Sequence, residues 1–181
     1  MAERIGRIYA PDKLNTLRAA ALLHDITKEY STNLHLKICA ERNIPLTEGD
    51  MYAAKTLHAR TAAAIIPEIY PEFATPEVVS AVRWHTTGRA QMTVSEKIIY
   101  LADYIDMSRK FSDCVELRDY FFSKDTAKMT DDERLAHLDD TLLISFDMTI
   151  RGLLEKGAPI AEDTIGARNE LAVLHIKRSN A

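Results

Sequence analysis

The sequence predicts an all-α protein, a helical bundle, on three observations. Apolar residues recur at helical spacing through most of the 181 residues, and no run alternates as a half-buried strand would. Helix-start signals stand before three of those runs: Thr75-Pro76-Glu77, Thr93-Val94-Ser95-Glu96 and Thr130-Asp131-Asp132-Glu133. Glycine and proline number only six each, which leaves little chain for long linkers.

Taken in order, Met1, Ile5 and Ile8 share one helical face at the very start, with no capping residue ahead of them. Pro11-Asp12 breaks that helix, and Leu14 to Leu23 forms the next. Asn33 to Asn43 carries Leu34, Ile38 and Cys39 at helical spacing, and Pro45 to Asp50 reads as a loop. His58 opens an alanine-rich helix that ends near Pro67 and Pro71. The Thr75 helix carries Val78, Val79, Ala81, Val82 and Trp84, delivers His85 near its end and stops at Thr86-Thr87-Gly88. The Thr93 helix holds Ile98, Ile99, Leu101, Ala102 and Ile105, with Asp103 among them. The Thr130 helix is expected to reach Lys156, with Gly157 as its stop, and a last helix covers Asp163 to Ile176.

The length suits one domain, expected to span residues 1–181, with the helices from about 130 completing it. Hydrophobic content of 46% and charged content of 28% are ordinary for a globular protein. A net charge of −4 argues against a nucleic-acid partner. Cys39 and Cys114 make neither a CxxC pair nor a disulfide framework, which suits a reducing compartment. No apolar run approaches the roughly eighteen residues of a membrane span and no secretory signal stands at the start. The expected location is cytoplasmic, with no membrane contact.

The candidate chemistry begins at Leu22-Leu23-His24-Asp25-Ile26-Thr27-Lys28. An apolar helix runs into an adjacent imidazole and carboxylate, the usual ligands of catalytic divalent metals. His58, His85 and Asp103 each follow on a separate helix, and a bundle can aim such side chains at one point. Three imidazoles and two carboxylates suit two adjacent metals bridged by an aspartate and a hydroxide, an arrangement for displacement at phosphorus. Lys28, Arg89 and Arg109 are candidate cations for phosphate oxygens. Plainer readings exist for each residue. His24 reads equally as a core histidine, Asp25 and His58 as caps, and His85 as a favourable charge at a helix end. Lys28, Arg89 and Arg109 read singly as solvated charges. Asp103 resists such a reading, because a carboxylate among Ile99, Leu101, Ala102 and Ile105 needs a metal or an arginine beside it. His35, His137 and His175 read as surface or core residues.

The chain resembles the HD-domain phosphohydrolase superfamily and, within it, the YqeK family of symmetrical diadenosine tetraphosphate hydrolases. The likeness rests on Ala20 to Glu29 with its His24-Asp25 pair, on Thr56-Leu57-His58 and on Trp84 to Arg89. It rests further on Glu96 to Ile105 and on Thr164-Ile165-Gly166-Ala167-Arg168-Asn169, so it covers nearly the whole chain. The His-Asp pair marks only the superfamily; the His-Thr-Thr-Gly and Ala-Asp-Tyr-Ile pieces, in order, are more specific. The resemblance implies an all-α fold and a dinuclear, iron-type centre, with manganese, cobalt or zinc as other occupants that imidazole and carboxylate accept. It implies His24, Asp25, His58, His85 and Asp103 as ligands, Asp25 and Lys28 as catalytic, and Lys28, Arg89 and Arg109 at the phosphates. The reaction implied is conversion of the tetraphosphate into two nucleoside diphosphates by a metal-bridged hydroxide.

Two departures stand out. Asp106 occupies a position where the family commonly has glutamate. The family also places a further metal-binding histidine on a helix ahead of the His-Asp pair, whereas no histidine precedes His24. With the uncapped periodicity at Met1, this leads to the expectation that the family's N-terminal segment is lacking. The metal position nearest His24, Asp25 and Asp103 would then be under-coordinated, and apolar surface along Ile5 and Ile8 would be exposed, a surface suited to a homodimer. The alternatives are another nucleotide phosphohydrolase, a nucleotidase or phosphodiesterase, and a non-catalytic module that binds a nucleoside diphosphate or one metal.

Overall fold

The computed structural model describes residues 1–180 and contains, among them, ten α-helices and no strand. These are α1 (Ala2–Tyr9), α2 (Leu14–Leu23), α3 (Thr32–Glu41), α4 (Glu48–Tyr52) and α5 (Leu57–Ile69). They continue with α6 (Pro76–Trp84), α7 (Val94–Tyr104), α8 (Ser112–Phe122), α9 (Asp131–Glu155) and α10 (Glu162–Ser179). The all-α expectation holds. Each expected capping residue does its work: the Thr75 hydroxyl accepts from Val78 N, and Thr93 and Thr130 form full capping boxes with Glu96 and Glu133.

Two local readings change. Residues Pro45 to Asp50 are not all loop, because Thr47 and Asp50 form a capping box that starts the short α4. Helix α5 ends at Ile69, between Pro67 and Pro71 as expected. Pro67 sits exposed in the last turn. Helix α8 was not anticipated; Cys114, Leu117 and Phe121 face the interior at spacings of three and four, but Phe111 supplies no capping side chain.

Helix α2 is the hub, packed against α1, α6 and α7, while α5 packs on α6 and α9 joins α7, α8 and α10. One apolar cluster runs from Ile5 through Leu17, Ile66, Val82, Ile98 and Leu101 to Phe121 and Phe146. In α9, Leu138, Leu142 and Phe146 are fully buried, each such side chain contributing about 1.5–3 kcal/mol relative to exposure. Ile5 also is fully buried and Ile8 partly so, against the expectation of an exposed apolar strip there. Helix α1 lies in the groove between α2 and α7 and turns Ile5 inward. Cys39 and Cys114 are free and buried. No helix among the described residues is long and apolar enough to cross a membrane.

The turn after α6 carries His85 and is held from two sides. Gly88 adopts φ of +63°, which a side chain disfavours, and an added Cβ would lie 2.5 Å from Phe146 Cζ. The Thr164 hydroxyl at the start of α10 donates to Thr87 O at 2.8 Å. The C-terminal helices therefore help to hold His85, which lies 79 residues before Thr164 in the chain.

Candidate metal centre

His24 follows α2, His58 lies in the first turn of α5, His85 caps α6 and Asp103 sits in the last turn of α7. All three imidazoles are fixed in the same way. Nδ1 of His24 bonds Ala21 O at 2.8 Å, that of His58 bonds Lys55 O at 2.7 Å, and that of His85 bonds Val82 O at 2.7 Å. A carbonyl accepts only, so each Nδ1 carries the proton and each neutral ring presents the Nε2 lone pair to the centre.

Those lone pairs converge on the Asp25 carboxylate. Oδ1 lies 3.2 Å from His58 Nε2 and 3.7 Å from His85 Nε2, while Oδ2 lies 3.4 Å from His24 Nε2. Asp103 Oδ1 is 3.7 Å from His24 Nε2, and the Nε2 atoms of His58 and His85 are 3.0 Å apart. Two groups of three donors result, His24–His85–Asp103 and Asp25–His58–His85, with the atoms of each within 4.8 Å of one another. His85 has one lone pair free and serves one ion at a time; Asp25 has two oxygens facing opposite sides.

A divalent cation fits this set. Asp25 Oδ1 is buried and has no hydrogen-bond donor, although two imidazole acceptors face it. Acceptors crowded together without a donor repel unless a positive charge sits among them. The Thr86 hydroxyl, 3.1 Å from His85 Nε2, can donate to one of them but not to all.

The charges follow from the same contacts. With no ion between them, burial would raise the Asp25 carboxyl, yet His58 and His85, where Nε2 takes up a proton, and Lys28 outweigh it and hold its pKa well below the carboxylate range. Asp103 is likewise low, since His24 and Arg109 overcome its burial. Burial pushes His85 down and keeps it neutral, with Asp25 opposing more weakly. For His24 burial is overcome by Asp103 and Asp25, and its pKa lies above the ordinary value. A proton on His24 and a cation beside it compete for the same lone pair.

Two cations reach the cluster and one does not. Lys28 Nζ lies 2.6 Å from Asp25 Oδ2. Arg109 Nη2 spans both Asp103 oxygens at 2.6 and 2.7 Å, so the arginine considered as a partner for Asp103 is present. Arg89 is placed elsewhere: its guanidinium bonds the fully buried Glu96 at 3.1 and 3.3 Å. A buried carboxylate needs that charge, which explains the diversion. His35 and His137 are buried and His175 is exposed against Asp140. Thr86, Tyr104 and Phe111 also border the centre; Thr86 and Tyr104 stood in motifs that the sequence made visible, and Phe111 did not. A small cavity of about 220 Å³ separates Met1 and Ala2 from His24 and Asp103.

An all-α bundle with a His-Asp pair and further histidines and an aspartate drawn from later helices defines a class of metal-dependent hydrolases. The chain belongs to the HD-domain family, whose model matches residues 1–108. It is 33% identical over 172 residues to a symmetrical bis(5'-nucleosyl)-tetraphosphatase from Halalkalibacterium halodurans, covering 92% of this chain and 81% of the relative. An enzyme of the same name from Bacillus subtilis is 29% identical over 174 residues, with 94% and 81% covered. The crystal structure of a predicted HD superfamily hydrolase involved in NAD metabolism from Clostridium acetobutylicum superposes with a TM-score of 0.79 at 31% identity. That match covers 98% of this chain and 84% of the other. Family and relatives together make the chain an HD-domain phosphohydrolase, and the family implies dependence on a divalent metal.

Proposed function

We propose that the chain hydrolyses symmetrical dinucleoside tetraphosphates, diadenosine tetraphosphate to two ADP, as a single domain with an iron-type metal pair. The observation that carries the reading is the Asp25 carboxylate, which turns one oxygen toward His58 and His85 and the other toward His24. In this reading His58, His85 and Asp25 Oδ1 hold one ion, and His24, Asp103 and Asp25 Oδ2 the other. Metals bound there supply a water acidified to near neutral pKa and charge neutralisation at phosphate oxygens. The names of the relatives support the tetraphosphate as substrate.

The chain's own residues do the rest. The backbone carbonyls of Ala21, Lys55 and Val82 keep the three Nε2 atoms unprotonated and aimed. Lys28 and Arg109, each resting on a ligand carboxylate, bind phosphate oxygens and balance the charge that develops on the leaving diphosphate. Arg89 has no part in this reading.

The test is a product analysis. Protein loaded with ferrous iron or manganese under exclusion of oxygen is given diadenosine tetraphosphate, and nucleotides are separated by chromatography. ADP alone is expected; AMP with ATP would overturn the symmetrical cut. Turnover of nucleoside monophosphates or cyclic nucleotides, but not of the tetraphosphate, would move the activity to another phosphohydrolase class. Asp103→Ala should abolish turnover, and retained activity would remove Asp103 from the site.

A further inference from the structure

Several cavities border the cluster, and the two that share both Lys28 and Arg109 are unlike. The first, about 540 Å³, opens from His58 and His85 and is walled by Tyr104, Phe111, Met148 and Leu153. The second, about 700 Å³, opens from His24 and Asp25 and is walled by Asp106, Ser108 and Lys110. They share Lys28, Asp103, Arg109 and Phe111. A polyphosphate lying across that shared rim would send its two ends into different surroundings. A nucleobase gains by placing its ring against aromatic and thioether groups; the second cavity has no aliphatic wall and, apart from the rim Phe111, no aromatic one.

A glycine marks the first cavity further. Gly152 lies inside the 25-residue α9, where glycine is among the poorest helix formers. A Cβ there would meet no heavy atom within 4 Å, so helix packing does not require its absence. The open space belongs to the cavity that Gly152 lines.

We propose that recognition is one-sided: the first cavity seats one nucleoside of the tetraphosphate, and the second takes the other half by charge without reading its base. This rests on the tetraphosphatase reading above. The base lies among Phe111, Met148 and Leu153, Gly152 leaves it room, and the phosphates cross Lys28 and Arg109. The substrate class widens accordingly to any tetraphosphate with one suitable nucleoside at an end.

The experiment pairs ADP binding with turnover in the metal-loaded protein. Gly152→Leu fills the cavity, and circular dichroism and metal content check its fold. ADP binding by calorimetry should weaken at least about tenfold, the scale of losing one base–aromatic stack, and kcat/KM for diadenosine tetraphosphate should fall alike. Leu153→Glu, on the same wall, should do the same if the first variant folds poorly. Adenosine 5'-tetraphosphate, which lacks the second nucleoside, should be cut with kcat/KM within about tenfold of the dinucleotide, less than the loss of one base–aromatic stack. Unchanged ADP affinity in both variants would overturn the seat even with full turnover of the dinucleotide. A loss greater than about a hundredfold for adenosine tetraphosphate, beyond one stack, would overturn one-sidedness. Wild-type protein that binds ADP in a Gly152-sensitive way yet leaves the dinucleotide intact would sustain the nucleoside seat and overturn the tetraphosphatase reading.

Discussion

Gly88→Ala tests how the fold holds His85 in place. Gly88 has φ of +63°, and an alanine in left-handed backbone costs about 1–2 kcal/mol. The new methyl would stand 2.5 and 2.9 Å from Phe146 Cζ and Cε1. Phe146 is fully buried in the core and cannot swing away, so overpacking adds about 1–3 kcal/mol. The sum is about 2–5 kcal/mol, or a fall in Tm of roughly 4–20 °C at about 2–4 °C per kcal/mol for a chain of this size. Gly152→Ala is the control. Its Cβ meets nothing within 4 Å, and helix propensity alone should raise stability by about 0.8–1.0 kcal/mol. Calorimetric or circular-dichroism melting of the two variants measures both signs. A Gly88→Ala fall below about 2 °C, less than the backbone strain alone requires, would refute the clamp at this turn. Metal content of the same variant should fall with it, because His85 lies three residues before the turn's glycine.

Removing metal with a chelator should lower Tm by roughly 5–10 °C relative to protein held at about a hundred times the metal Kd, a linkage of about 2.7 kcal/mol; an unchanged Tm would mean no ion binds the folded chain preferentially. His35 is buried, and burial, then the charge of His58, lowers its pKa from 6.5. The unfolded chain therefore takes up this proton first, and the stability owed to a neutral His35 is lost as pH falls below the unfolded value of 6.5. His35→Gln should flatten the Tm-against-pH curve of metal-free protein between about pH 5 and pH 7, and parallel curves would discount the assignment. Arg89→Ala should cost about 1.5–3 kcal/mol through loss of charged hydrogen bonds to buried Glu96 and leave KM for the tetraphosphate unchanged at a temperature where the variant is folded; a raised KM with unchanged Tm would return Arg89 to the substrate.

Much of the helical frame was legible because its starts are local chemistry. Thr75, Thr93 and Thr130 accept backbone hydrogen bonds within three residues of themselves. Helix α8 was not, since its inward residues Cys114, Leu117 and Phe121 are interrupted by the buried Arg118, whose Nη2 bonds Arg109 O across the loop. Helix α4 was masked by the glycine and proline around it, although Thr47 and Asp50 carried a capping signal. The side chains of the centre were legible because each histidine's orientation depends on a carbonyl three residues before it. Arg89 misled for the opposite reason: its partner Glu96 is near in sequence but faces it only once the α6–α7 turn has formed. The cavity walls were out of reach, because Tyr104, Phe111, Met148 and Leu153 meet through tertiary packing of α7, α8 and α9.

The crowded acceptors around Asp25 need a cation, and counting ions tests that most directly. Reconstituted protein analysed by mass spectrometry for metal should hold two ions per chain, and Asp25→Ala, which removes the carboxylate facing both groups, should hold fewer. An empty wild-type chain, or an Asp25→Ala chain with its full complement, would contradict it.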